Sequence, residues 1–225
     1  MSILQIKISL RGSKPRIWRR FLVEDSISFY KLHSIIQDVM GWEDYHLWEF
    51  KIGDYTITPD EEGCNAAEIA IDKLMKSDEF LKMIKEQKLS KGLASLNINK
   101  MNEMLKKAED EEKKKNHFNL KTSINKLLNK EKIKFDYCYD FGDNWEHSVI
   151  VEKILDKDSS KKYPICIAGE MSCPLEDCGG VWGYYEMLEI KKNKNHPEYQ
   201  ERIIDWIGED FDFEKFDIDR VNERL

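Results

Sequence analysis

Every tryptophan of the chain (Trp18, Trp42, Trp48, Trp145, Trp182 and Trp206) lies before residue 49 or after residue 144, and no proline falls between Pro59 and Pro164. Large aromatic side chains mark where a core is built, and proline marks where a chain turns. A chain divided in this way is expected to fold as one body from two separated stretches. We read residues 1–58 and 133–225 as that α+β body and residues 60–132 as a Lys-rich helical insertion. Charge divides at the same places. Residues 72–134 carry 17 Lys against 10 Asp or Glu, so the rest of a chain of net charge −7 stands at −14. A body of that sign repels phosphate, which disfavours nucleic acid as a partner of the whole surface. The insertion has no Arg and only Phe80 and Phe118 as aromatics, unlike a groove reader or a base-stacking platform. Its Ile69, Leu74, Met75, Phe80, Leu81 and Ile84 are spaced to line helices that pack on the body or on a partner.

At 41% hydrophobic and 35% charged, the 225 residues hold enough apolar side chains for a core. No run reaches the roughly 18 apolar residues of a membrane helix. The opening MSILQIKISLRG lacks the basic and long apolar regions of a signal peptide, so a cytoplasmic protein without membrane contact is expected. Five cysteines, an odd number, argue for reduced thiols and not a disulfide framework.

Within the body, residues 3–10 alternate apolar and polar, the period of a half-buried strand. Arg11-Gly12-Ser13 is turn chemistry, and residues 17–23 make a second, Arg-rich strand of a hairpin. Ser28 is placed to cap a helix in which Phe29, Leu32, Ile36, Val39 and Met40 recur at helical spacing, and Gly41 stands at the expected left-handed C-terminal position. Further strands are expected over residues 46–52, 133–139 and 145–151, the last two joined by the turn Asp140-Phe141-Gly142-Asp143-Asn144. A helix is expected from about residue 181 to 190. The resulting fold class is α+β, a small mixed or antiparallel sheet with packed helices in a β-grasp-like layout, plus the insertion and C-terminal helices.

The densest chemistry lies in YPICIAGEMSCPLEDCGGVWGYYEML, residues 163–188. Cys166, Cys173 and Cys178, with His147 as the preferred fourth ligand beside the alternatives His33 and His46, are a candidate zinc set. The paired C-x2-C spacing of structural zinc sites is absent, so small buried thiols are the competing reading. Gly179-Gly180 opens a helix, where backbone N–H groups meet an anion or simply turn. Arg16, Trp18 and Arg20 share one strand face and, with Trp145, are candidate binding residues. Their expected partner is internal: residues 195–225 hold 10 acidic and 4 basic side chains.

PRIWRRFLV, LHSIIQDVMGW, HLWEF, FDYCYDFGDNWEHSVIVE, the run from residue 163 to 188, and the closing WIGEDFDFEKFDIDRVN together resemble the plasmid pRiA4b ORF-3-like family. The resemblance covers most of residues 1–58 and 133–225 and leaves the insertion out. It implies a protein of plasmids, transposons and other mobile elements whose biochemistry is not established. Its usual P-P-E-D-C-G-G reads Pro174-Leu175-Glu176-Asp177-Cys178-Gly179-Gly180 here. The motif positions with reactive side chains are His33, His46, Asp140, Asp143, His147, Glu176, Asp177 and Cys178, which offer the composition of an acid–base or divalent-metal site. Caps and turn residues are the alternative for the same carboxylates. Three functions follow from these readings: a protein-binding or regulatory module, which is favoured; a metal-dependent hydrolase of a nucleotide or nucleic acid; and an acidic mimic of nucleic acid.

Overall fold

A computed structural model of the chain describes residues 1–59, 103, 106–107 and 116–225. Strand β1 (Ser2–Leu10) buries Leu4, Ile6, Ile8 and Leu10 on one face and turns Gln5, Lys7 and Ser9 to the other, as strict alternation requires. It pairs antiparallel with strand β2 (Trp18–Glu24), Ile6 facing Phe21 and Ile8 facing Arg19. Helix α1 (Phe29–Met40) covers the apolar face and buries Phe29, Leu32, Ile36 and Val39, each such side chain contributing roughly 1.5–3 kcal/mol. Its ends are those read from the sequence. Lys31 N–H donates to Ser28 Oγ at 3.1 Å, and Gly41, at φ 99°, donates to Gln37 O at 2.7 Å.

Strands β3 (Trp48–Ile52), β4 (Tyr55–Ile57), β5 (Asn116–His117), β6 (Lys134–Tyr139), β7 (Trp145–Asp156) and β8 (Ile165–Glu170) complete an eight-stranded sheet in the order β5-β4-β3-β6-β7-β1-β2-β8. All pairings are antiparallel except the short β4–β5 pair. The α+β class is as expected. The β-grasp-like layout is not confirmed: β7, the long neighbour of β1, runs antiparallel to it, and the sheet is not small.

Strand β8 falls in the Cys- and Gly-containing stretch, residues 163–188, where no strand was expected. It is an edge strand, whose sequence need not show the two-sided burial that identifies a central strand. The helices that follow are α2 (Gly180–Lys192), a π-helical segment (Gln200–Ile207) and α3 (Ile218–Arg224). On α3, Asn222 accepts from Cys166 N–H at 2.8 Å and donates to Cys166 O at 3.0 Å, so its amide closes the free edge of β8 as a strand would.

Residues 116–128 pack into the body. Phe118 N–H donates to Thr56 O at 3.1 Å, its ring meets Phe29 edge-on at 5.8 Å, and Ile124 and Leu128 are fully buried. Glu103, Lys106 and Lys107 are helical and exposed, and the amphipathic helix expected over residues 69–84 lies outside the described residues. Replacing residues 60–115 by a Gly/Ser linker is expected to leave a single cooperative melt, because closing a surface loop costs little entropy. Extending the replacement to residue 132 is expected to abolish that melt in a thermal scan, since it removes Ile124 and Leu128 from the core.

Candidate functional site

The turn between β6 and β7 and the loop before α2 are built against each other. Asp140 (φ 52°) and Asn144 (φ 54°) take the left-handed conformation that Asp and Asn tolerate, and Gly142 N–H donates to Asp140 Oδ1 at 2.7 Å. Next to Gly142, Asp143 Oδ2 accepts from Gly179 N–H at 3.1 Å. The anion expected at the Gly179-Gly180 helix start is therefore supplied by the chain itself. Burial pushes the Asp143 carboxyl above the usual carboxylate range, opposed by the Gly180 and Gly179 N–H groups.

Three of the expected residues converge at this junction. His46 Nε2 lies 3.2 Å from Asp177 Oδ1 and 3.8 Å from Asp140 Oδ2, and the three ligand atoms all lie within 4.8 Å of one another. His46 Nε2 is buried and has no hydrogen-bond partner among the described residues. One imidazole and two carboxylates suit a zinc, manganese or iron ion, and three protein ligands leave a coordination position open. Beside them Tyr139 OH donates to Glu176, while Glu43 N–H donates to the other Glu176 oxygen at 3.2 Å. Burial and the Glu176 carboxylate raise the Tyr139 phenol, which stays protonated and holds the loop to β6. Tyr139 was not among the expected site residues; its place next to Asp140, on the inward period of β6, is the signal that locates it.

The remaining histidines do not join this group. His33 is buried on α1, with Nδ1 2.9 Å from Tyr137 OH and Nε2 2.7 Å from Asp44 Oδ1, and it stacks on Trp48 at 4.0 Å. His147 points inward from β7 beneath Trp42, whose ring centre is 5.3 Å away. Burial pushes its imidazole down to about 3.

The thiols are likewise apart from His147: among the described residues His46, Asp140 and Asp177 form the one group of three side chains placed to hold a metal. Cys166 is on the edge strand, with its Sγ 3.5 Å from Arg20 O, and Cys178 Sγ lies 3.8 Å from Gly180 O. Burial raises all three thiols, Cys178 to about 12, so in the metal-free chain they are protonated at neutral pH and poor nucleophiles.

The arginine face also finds another partner than the tail. Arg20 makes a bidentate pair with Glu152 on β7 (2.6 and 2.9 Å) and stacks over Trp18, whose Nε1 donates to Glu170 at 2.8 Å. Arg16 is exposed, and Trp145 is fully buried in the core, so it presents no surface. What the sequence did not reveal is the exposure of Trp182 (87%) and Trp206 (44%). They flank an open groove of about 630 Å³ that Asp177, Glu186 and Arg202 also line. A single tryptophan in a Gly-rich helix start carries no periodic signal that would distinguish exposure from burial.

The family model described as plasmid pRiA4b ORF-3-like protein matches residues 2–220. An uncharacterized protein, y4hQ, of Sinorhizobium fredii is 26% identical over 226 residues, covering 100% of this chain and 91% of its own length. The crystal structure of a protein of unknown function, MM3350 of Methanosarcina mazei Go1, is 31% identical with a TM-score of 0.66, covering 97% of this chain and 96% of that one.

Proposed function

The chain belongs to the plasmid pRiA4b ORF-3-like family, and from that premise we propose that it is a protein-binding module of a mobile element. The observation that carries this reading is Trp182, 87% exposed in the first turn of α2, with Trp206 lining the same groove. Exposed tryptophans beside a concave surface are the side chains that dominate protein interfaces. Arg202 on the groove wall is paired with Glu186 at 2.6 Å and Glu198 at 3.4 Å, and with Asp177 on the same wall the charged lining is net acidic. Together with a body at −14, this favours a partner that presents a basic, partly apolar segment. In a co-purification from cells carrying the parent element, the wild-type chain is expected to retain one specific partner. The Trp182→Ala/Trp206→Ala double variant should lose it at unchanged melting temperature, since neither side chain supports the core. Equal retention by both proteins would defeat the reading.

A second reading, a metal-dependent hydrolase, is supported by the His46 Nε2 atom set between two carboxylates. A divalent ion would be held by His46, Asp140 and Asp177 and would polarise a phosphate oxygen or activate water. Elemental analysis is then expected to find about one zinc or manganese per chain, lost in His46→Ala and kept in Cys178→Ala. Hydrolysis of a chromogenic phosphodiester should follow the metal. A metal-free wild-type protein without that activity removes the hydrolase and leaves the three groups as a clasp between loop and turn.

A further inference from the structure

Arg19, on the core face of β2, is 2% exposed. Its Nε donates to Val39 O at 2.9 Å, and Nη1 donates to Trp18 O at 2.8 Å and Glu170 O at 2.9 Å. The ring of Phe216 lies 4.4 Å from the guanidinium carbon. All these partners are neutral. Among the described residues no carboxylate lies within ion-pair distance of Arg19, whereas buried charges are ordinarily paired.

Arg19 lines a cavity of about 210 Å³ between the end of α1, residues 172–175 and the C-terminal segment. The other basic groups on its wall differ in their engagement. Arg224 faces Asp38 at 3.7 Å and Glu43 at 3.2 Å, and Lys215 faces Asp217 at 3.4 Å. The Arg220 side chain has no ion-pair or hydrogen-bond partner among the described residues. The two carboxylates on the same wall, Asp38 and Asp217, are those engaged by Arg224 and Lys215, which leaves Arg19 and Arg220 as two cations of the cavity with no carboxylate of their own among the described residues. Phe211, Phe216 and Val221 supply an apolar side to the same space.

We propose that this cavity is a binding site for a small organic anion, a carboxylate or phosphate monoester with an apolar body, held by Arg19 and Arg220. Arg220 offers a whole guanidinium fork and Arg19 its Nη2, since its Nε and Nη1 are committed to carbonyls; such donors suit either head group, and the space is below the roughly 300 Å³ at which drug-sized pockets begin, which limits the ligand to small-metabolite size. Because α3 forms part of the wall, filling the site also fastens the C-terminal segment to the body.

The test is thermal melting of the full chain, titrated at constant ionic strength with benzoate, phenyl phosphate and inorganic phosphate. At least one of the two organic anions is expected to raise the melting temperature saturably, by roughly 5 °C at a hundredfold excess over its Kd, with inorganic phosphate giving less. Arg220→Gln leaves the unliganded melt in place and weakens the response about tenfold, the value of one lost charge-assisted hydrogen bond. Arg19 itself is a poor probe because its removal also breaks three backbone contacts. Val221→Trp, which fills the cavity, should abolish the response. No saturable shift with either organic anion, an equal shift in Arg220→Gln, or inorganic phosphate matching the organic anions would overturn the proposal.

Discussion

Lowering the pH from 7 to about 4.5 is expected to destabilise the fold by about 3 kcal/mol through one side chain, His147. Its imidazole is fully buried, Nδ1 lies 3.3 Å from Tyr137 O, and Nε2 has no hydrogen-bond partner among the described residues. Burial lowers its pKa from 6.5 to about 3. In the unfolded chain the same ring takes up a proton as the pH falls through about 6.5, so between about 3 and 6.5 the unfolded state binds more protons than the folded one. Stability therefore rises with pH across that window and is lost as pH falls. Two units below the unfolded pKa the loss is about 3 kcal/mol, at about 1.4 kcal/mol per unit. His33, also lowered by burial and partly restored by Asp44, acts in the same direction. Other groups titrate in the same range: Asp143 and Asp38, both raised by burial, oppose the trend, and Glu152, lowered by Arg20, adds to it. The comparison that isolates His147 is between wild type and His147→Gln. The variant is expected to be less stable at pH 7 and to lose much less between pH 7 and 4.5 in urea titrations. Parallel pH profiles for the two proteins would show that His147 is not the group responsible.

Gly180→Ala is expected to cost 3 kcal/mol or more and to loosen the candidate site. Gly180 has φ 68°, where an L side chain is strained by roughly 1–2 kcal/mol, and a Cβ there would stand 2.3 Å from Asp143 O. That neighbour is backbone, so relief requires the motif loop to move off the turn, which stretches the Gly179–Asp143 hydrogen bond. Gly41→Ala is the control. It shares the positive φ, at 99°, but meets nothing within 4 Å, so only the strain of about 1 kcal/mol should appear. The midpoint of urea unfolding at constant m-value measures both. Equal costs at the two positions would mean that the close approach of loop and turn contributes nothing.

How far the sequence reached differs between elements, for reasons that are local. The β1–β2 hairpin, α1 with both caps, and the β6–β7 pair follow from contacts within or between neighbouring segments, so period and cap residues named them. Strands β4 and β8 did not announce themselves, because an edge strand is held by its neighbour and, in β8, by Asn222 from the far end of the chain. The same distinction runs through the candidate site. Sequence chemistry selected His46, Asp140 and Asp177 among eight reactive motif positions but did not separate them from His33 and His147.

That separation is a matter of direction and depth. His33 and His147 project into the core, where Tyr137 meets both, whereas His46 lies at the margin of β3, next to a loop 130 residues later in the chain. The sequence by itself determined the β1–β2 hairpin, α1 with its caps, the β6–β7 pair with its turn at Asp140 and the chemical inventory of the motif, because each depends on side chains a few positions apart. Only the tertiary structure decided the partners: Glu152 for Arg20, Asp143 for Gly179, carbonyls for Arg19, and open solvent for Trp182. Charge totals and apolar periods are sums over residues and carry no pairing information. A partner is fixed by where the sheet brings distant strands and the returning C-terminal segment to lie.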